Sequence, residues 1–241
     1  MRSILIALVF LMVGNVVIGQ TGQTEEKKKK DWTKVDLGKR AADHLMIQIG
    51  MYDWASKPDS IKTKGVGRTF NMYIMFDFPF KTNPRISVAL GPGVGTDNIY
   101  FDQTTINIQN RGQATFTIDS VNKYKKYKMA VGYLELPVEL RFSTSPENMN
   151  KGFKLALGAK LGTLLDAKTK AKVDVDANAF GGYVQKIKDK KFFNGTRLCA
   201  TARVGYGHFT VFGTYTVTQF FKEFQGPVVK PWSLGLTISG L

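Results

Sequence analysis

Regular alternation of apolar and polar side chains is the feature of this sequence that most constrains its fold. Over residues 133–142 the even-numbered positions are apolar, whereas Glu135, Glu139 and Arg141 occupy odd-numbered positions. A β-strand projects successive side chains to opposite faces, so this run predicts a strand with one apolar and one polar face. Residues 70–80 repeat the pattern with apolar and aromatic side chains on one face.

Eight segments fit such strands, and the connections between them alternate between short turns and long loops. Each segment is close to or beyond the roughly 9–11 residues that a tilted strand needs to cross the hydrocarbon layer. Short turns on one side and long loops on the other are typical of outer-membrane barrels. We therefore predict an all-β fold, an eight-stranded antiparallel up-and-down transmembrane β-barrel. The predicted strands are 44–55, 69–80, 85–100, 127–143, 152–166, 196–207, 209–221 and 232–241.

The N-terminal region predicts export. Residues 1–19 combine Arg2, an apolar run and a small-residue cleavage site ending at Gly19, which is typical of a secretory signal peptide. A membrane anchor is the alternative, although Gly14 and Asn15 interrupt the short apolar run. Residues 20–43 are polar and predict a periplasmic N-terminal leader, with a short helix near 36–43. The barrel domain is then expected over residues 44–241.

Charge and cysteine content exclude several classes of protein. Cys199 is the only cysteine, so no intrachain disulfide can form. The net charge of +15 would suggest nucleic acid, but predicted export and the absence of a nucleic-acid-binding motif argue against it. Outer-membrane lipids and lipopolysaccharide phosphates are the expected counterparts, through the same attraction between opposite charges.

Aromatic side chains cluster at both ends of the apolar rows. Amphipathic rings favour membrane–water interfaces, so two girdles are expected of a membrane barrel, and chance clustering is the alternative. The girdle at the short-turn end is predicted to contain Phe78, Phe80, Phe142, Phe153, Tyr206 and Phe209, and the girdle at the long-loop end Tyr100, Phe221 and Trp232.

The polar rows predict a charged lumen. An eight-stranded barrel is just wide enough for side chains to fill it, so we expect a plug of ion pairs. The predicted network consists of Asp77, Glu135, Glu139, Arg141, Lys154, Lys160 and Arg203, with Arg85 and Arg197 in the same inward row. Because three acids then face six bases, either Arg85 and Arg197 lie in water near strand ends, or the lumen is partly hydrated. A hydrated cationic lumen would provide a narrow anion path.

The sequence predicts no catalytic residues, no cofactor and no metal site. His44 and His208 are the only histidines, and both fall at predicted strand ends on the periplasmic side. An outer-membrane lipid-modifying enzyme therefore remains a rival without an evident catalytic set. A soluble lipocalin-like carrier is the second rival, because inverting the barrel preserves the alternation.

Lysines are concentrated in the predicted long loops. They predict either solvated loops or docking onto lipopolysaccharide phosphates or an acidic partner. The basic clusters contain Lys123, Lys125, Lys126 and Lys128, then Lys186, Lys188, Lys190 and Lys191.

Three segments resemble PorT-like outer-membrane β-barrel domains. They are residues 133–140, the glycine-containing segment 91–95 and the alternating residues 233–241. The resemblance covers roughly residues 44–241. The resemblance implies an integral outer-membrane barrel and, because the named founder is associated with a protein-secretion system, an accessory role in an envelope or secretion assembly. Since no catalytic set is evident, we expect the barrel to be non-enzymatic, with a structural or interaction role.

Overall fold

Eight antiparallel strands close into a barrel in a computed structural model that describes residues 43–109, 112–118, 124–173 and 184–240. Closure depends on the first and last strands, which pair from Met46↔Ser239 to Ala55↔Lys230. The first strand also pairs with the second, so neither of its edges is open. The predicted eight-stranded barrel is confirmed.

The barrel wall contains ten strand segments because two of its eight strands are interrupted. The first strand is β1 (Leu45–Ala55). The second consists of β2 (Gly67–Ile74) and β3 (Phe76–Pro79), and the third of β4 (Ile86–Leu90) and β5 (Gly93–Phe101). Two short strands, β6 (Thr104–Asn107) and β7 (Thr115–Ile118), form a separate hairpin in the following loop. The remaining segments are β8 (Tyr124–Ser143), β9 (Phe153–Val173), β10 (Val184–Lys188), β11 (Thr196–Tyr206), β12 (Phe209–Thr216) and β13 (Lys230–Ser239). Of these, β10 is not one of the ten wall segments, because it pairs only with Lys168–Lys172 at the long-loop end of β9.

The interruptions lie next to one another in the wall. The gap between β4 and β5 contains Gly91 and Pro92, and Pro137 of β8 lies opposite that gap. Proline cannot donate a backbone hydrogen bond, so the ladder is interrupted where these residues meet. The predicted strands 69–80 and 85–100 are therefore each divided, although the alternation of inward and outward side chains continues across both gaps.

Apolar side chains cover the outside of the barrel. Leu134, Leu136, Val138 and Leu140 are exposed, whereas the intervening Glu135 and its odd-numbered neighbours are buried. The other wall strands show the same arrangement, which forms an apolar band around the molecule. An inverted, lipocalin-like barrel would bury this row, so the soluble-carrier alternative is wrong for this fold.

The connections differ at the two ends as expected for an outer-membrane barrel. β11 and β12 are joined by Gly207 and His208 alone, and the turn places Gly207 at a φ of +61°, which glycine adopts without steric cost. At the opposite end, β8 and β9 extend beyond the apolar band and carry β10 at their edge. The described residues contain no helix long and apolar enough to span a bilayer. The predicted signal peptide and all of the predicted leader except Asp43 lie outside the described residues.

The apolar band generates a test of membrane placement. Leu136 is exposed near the middle of the outward row of β8. We expect Leu136→Arg to lower the free energy of unfolding by about 2–4 kcal/mol in lipid vesicles, because a charge then faces the hydrocarbon midplane. Urea titration of the reconstituted barrel measures the change. The control is Val228→Arg in the exposed loop between β12 and β13. Equal stability of wild type and both variants would contradict the lipid-facing assignment.

Candidate functional site

The lumen contains two clusters of buried charged side chains, and the first lies near the short turns. Arg203 binds Glu139 through two hydrogen bonds, Nη2 to Oε2 at 2.6 Å and Nε to Oε1 at 3.1 Å. Arg141 Nε donates to Glu139 Oε2 at 3.0 Å, and its Nη1 lies 3.7 Å from Asp77 Oδ1. Two-point binding between a guanidinium and a carboxylate is geometrically specific and strong, so Glu139 links β8 to β11. Arg141, which is also on β8, makes the link to Asp77 on β3. We call these residues, with the adjacent Lys154 and Asp43, the turn-side cluster.

The second cluster is centred on Glu135, closer to the long loops. Its carboxylate accepts hydrogen bonds from Arg197 and Tyr73, and Lys160 Nζ lies 3.5 Å from Oε2. Arg197 also donates from Nη1 to Asp97 Oδ2 at 2.6 Å. We call these five residues the loop-side cluster. Cys199 is buried nearby with its Sγ 3.4 Å from Thr216 Oγ1.

Two acids that sequence reasoning missed balance the lumen charges. Asp43 accepts a hydrogen bond from Lys154 Nζ at 2.6 Å, and Asp97 pairs with Arg197. Asp97 comes two residues after the inward-facing Gly95 on β5, so the alternation could have predicted that Asp97 faces the lumen. Asp43 precedes β1 and offered no such signal. Among the described residues the buried acids are Asp43, Asp77, Asp97, Glu135 and Glu139, and the buried bases are Arg141, Lys154, Lys160, Arg197 and Arg203.

The two arginines outside the predicted network therefore behave differently. Arg85 is exposed beside β4, as expected. Of the two alternatives, the one that places Arg197 in water is wrong, because its guanidinium is buried between Glu135 and Asp97 and lies over the Tyr133 ring, 3.7 Å from the centroid. All seven residues of the predicted network face the lumen.

Small inward residues make room for the clusters. A Cβ added at Gly95 would lie 2.6 Å from Asn71 Oδ1 and 2.9 Å from Glu135 Oε2. Because Glu135 is held by three partners, it cannot easily move aside. The cavities that remain at the two clusters are about 10 Å³ each, space for about one water molecule.

Aromatic and aliphatic side chains fill the lumen at the long-loop end. Trp54 contacts the rings of Phe101, Phe116, Phe220 and Phe221, with centroid separations between 5.2 and 6.4 Å. Ile61 of one long loop and Ile106 of the β6–β7 hairpin belong to the same buried cluster. We call this group the aromatic cap, and it lies between the loop-side cluster and the outer ends of the loops.

Most predicted girdle residues lie on the outer surface. Phe78, Phe80, Phe142, Phe153, Tyr206 and Phe209 are exposed at the short-turn end, and Tyr100 and Trp232 are half-buried on the outward row at the other end. Phe221 is a correction, because it is only 1% exposed and belongs to the aromatic cap. β12 ends at Thr216, earlier than predicted, and the chain then folds inward over the barrel mouth.

The predicted basic residues divide among three places. Lys126, Lys128, Lys186 and Lys188 lie on strands that extend beyond the apolar band, whereas Lys190 and Lys191 are exposed in the turn after β10. Lys123 and the side chain of Lys125 lie outside the described residues.

The two histidines are at the short-turn end of the barrel. His44 Nδ1 lies 3.2 Å from the Met75 carbonyl oxygen, and His208 Nδ1 lies 2.9 Å from the Ser239 carbonyl oxygen. Among the described residues no three His, Cys, Asp or Glu side chains are grouped to hold a metal ion.

A closed antiparallel barrel with an apolar exterior and a charged interior defines a transmembrane β-barrel protein. A family model described as outer membrane protein beta-barrel domain matches residues 37–225. The chain belongs to this outer-membrane β-barrel family. Comparison with curated proteins found no match, and comparison with solved structures found none either.

The turn-side cluster generates a test of the lumen network. We expect Glu139→Gln to lower the free energy of unfolding by about 3–5 kcal/mol, because Arg141 and Arg203 would lose their shared carboxylate while remaining buried. Urea titration in lipid vesicles checks this value. The control is Glu223→Gln in an exposed loop, where we expect a change of about 0.5 kcal/mol or less. Similar stability of both variants would show that the ion pairs contribute little.

Proposed function

We propose that this protein is a non-enzymatic outer-membrane scaffold, which presents its long loops to other components of the cell envelope. In this proposal residues 1–19 are removed as a signal peptide during export. The barrel then acts as an accessory of an envelope or protein-secretion assembly, as the resemblance to PorT-like domains implies. The observation that carries the proposal is the filled lumen.

The filled lumen favours a structural role over transport. The turn-side cluster, the loop-side cluster and the aromatic cap follow one another along the barrel axis. Each charged group in the two clusters has an oppositely charged partner within 4.0 Å. Because these pairs are held in place by the barrel wall, an ion would have to displace several of them at once. This argues against the narrow anion path and leaves the outer loops as the accessible surface.

The loop between β12 and β13 offers one specific contact residue. Phe224 is 88% exposed, and its φ of +59° lies in the left-handed region that a bulky residue rarely adopts. An exposed aromatic ring and a strained backbone are both unfavourable for the isolated chain. Strain of this kind is commonly retained at functional positions, so Phe224 is the residue that we assign to partner contact.

The filled lumen predicts that the protein conducts no ions across a membrane. We expect no stable single-channel steps when the purified protein is inserted into a planar lipid bilayer with high salt on both sides. A porin inserted into the same bilayer is the positive control. Reproducible steps from this protein would contradict the scaffold proposal and favour an anion channel.

A second measurement addresses the lipid-modifying enzyme. We expect the reconstituted protein to release no fatty acid from phospholipid vesicles, and release of fatty acid would favour the enzyme.

The assignment of Phe224 predicts a loss of partner binding. The full-length protein is purified from native membranes in a mild detergent after crosslinking, and co-purifying envelope proteins are identified by mass spectrometry. We expect Phe224→Ser to reduce their recovery, because the apolar contact is removed. The control, Lys81→Ser in the exposed turn after β3, should leave recovery unchanged. Equal recovery in both variants would contradict the proposal. Recovery no greater than in a mock purification from a strain that lacks this protein would also contradict it.

A further inference from the structure

Seven lysines share one face of the sheet that β8, β9 and β10 form beyond the apolar band. Lys128, Lys170 and Lys186 lie directly opposite one another and form a row across the three strands. Neighbouring strands are about 4.8 Å apart, and rows on one face are separated by about 6.8 Å. We call this surface the lysine face, and the rows on either side of the central one add Lys126, Lys172, Lys168 and Lys188.

The lysine face is on the lipid-facing side of the wall. Tyr127 and Met129 of β8, and Thr169 and Ala171 of β9, are buried and point inward between the lysines. The lysines therefore continue the outward row that contains the exposed Leu134 and Leu136. They begin where the apolar side chains end, at the long-loop end of the barrel. In a membrane barrel this is the level of the lipid headgroups in the outer leaflet.

The charge of this face is only partly neutralised by the protein. Asp166 pairs with Lys168 at 2.8 Å and with Lys188 at 3.6 Å, and within the described part of the chain it is the one carboxylate paired with the face. Lys126 lies over the Tyr100 ring, and Lys128 Nζ donates to the neutral side chain of Asn98 at 2.7 Å.

Like charges directly opposite each other destabilise a sheet, so the central row is unfavourable without an anion. An anionic group placed between the lysine side chains would reduce the repulsion between them. A planar array of phosphate groups would neutralise the face more completely than a single small ion, because lysines on three strands can each reach a different phosphate.

We propose that the lysine face binds the phosphate groups of phosphorylated glycolipids in the outer leaflet of the membrane. This site goes beyond the scaffold function, since it involves the lipid-facing wall rather than the ends of the loops. Lipid is favoured over an acidic protein as the occupant because the face is continuous with the apolar band. A bound glycolipid can therefore place its acyl chains against the band and its phosphates against the lysines.

The test uses a charge-removal variant and a matched control. The variant carries Lys128→Gln, Lys170→Gln and Lys186→Gln, which removes the central row. The control carries Lys62→Gln, Lys64→Gln and Lys222→Gln, which removes the same charge from exposed positions in other long loops. Binding of bisphosphorylated lipid A to the full-length protein in detergent is measured by native mass spectrometry. We expect the variant to bind at least about tenfold more weakly, and the control to bind as wild type does.

A stability measurement distinguishes a binding site from a merely structural role. In vesicles of phosphatidylcholine alone, we expect the variant to be as resistant to urea as wild type or more so, because the repulsive row is gone. Adding bisphosphorylated lipid A should raise the resistance of wild type and of the control, but not that of the variant, since a ligand stabilises only the state that binds it.

Two outcomes would overturn the proposal. Equal binding of lipid A by the variant and wild type would show that the lysine face is not the site. Equal stabilisation of wild type by dephosphorylated lipid A would show that the acyl chains, not the phosphates, are recognised. If the triple variant does not insert, the single variant Lys170→Gln decides, with a smaller loss of binding expected and unchanged binding contradicting the site.

Discussion

The pairing of β1 with β13 is the interaction on which the whole structure depends. Hydrocarbon offers no hydrogen-bond partner to a strand edge, so a sheet can cross it only when the two edges join. Ten residue pairs, from Met46↔Ser239 to Ala55↔Lys230, close this one. Closure then determines which side chains meet in the lumen, because the polar row of every strand faces the same axis and the charged groups can pair only with one another. The ion pairs are in this sense a consequence of the backbone pairing.

The fold was predictable because a period of two residues is visible in any single strand. The lumen was predictable only in part, because the partner of a charge depends on the register between strands far apart in sequence. Glu139 and Arg203 are separated by 64 residues, and nothing local to either indicates the two-point contact. Asp97 was within reach of the alternation, whereas Asp43 was not, since it belongs to the polar segment before the first strand. With both acids included and the exposed Arg85 left out, five acids face five bases in the lumen.

The long-loop end was the least predictable region. The sequence placed the end of the fifth wall strand at residue 166, whereas β9 continues to Val173 and pairs with β10. Lys168, Lys170 and Lys172 were therefore assigned to a loop, where their common orientation is invisible. Phe221 was misplaced for the opposite reason, because the predicted strand continued past the point where β12 ends. Both errors arise from strand length, which depends on contacts with neighbouring strands and not on the alternation alone.

Burial of Cys199 inside the wall gives the protein an internal reporter. Its thiol is enclosed beside Thr216, and the chain contains no other cysteine. Reagents that modify thiols in water reach this sulfur only when the wall separates or the interior becomes wet. The rate of its modification in intact cells therefore measures how often the native barrel opens, without any engineered label.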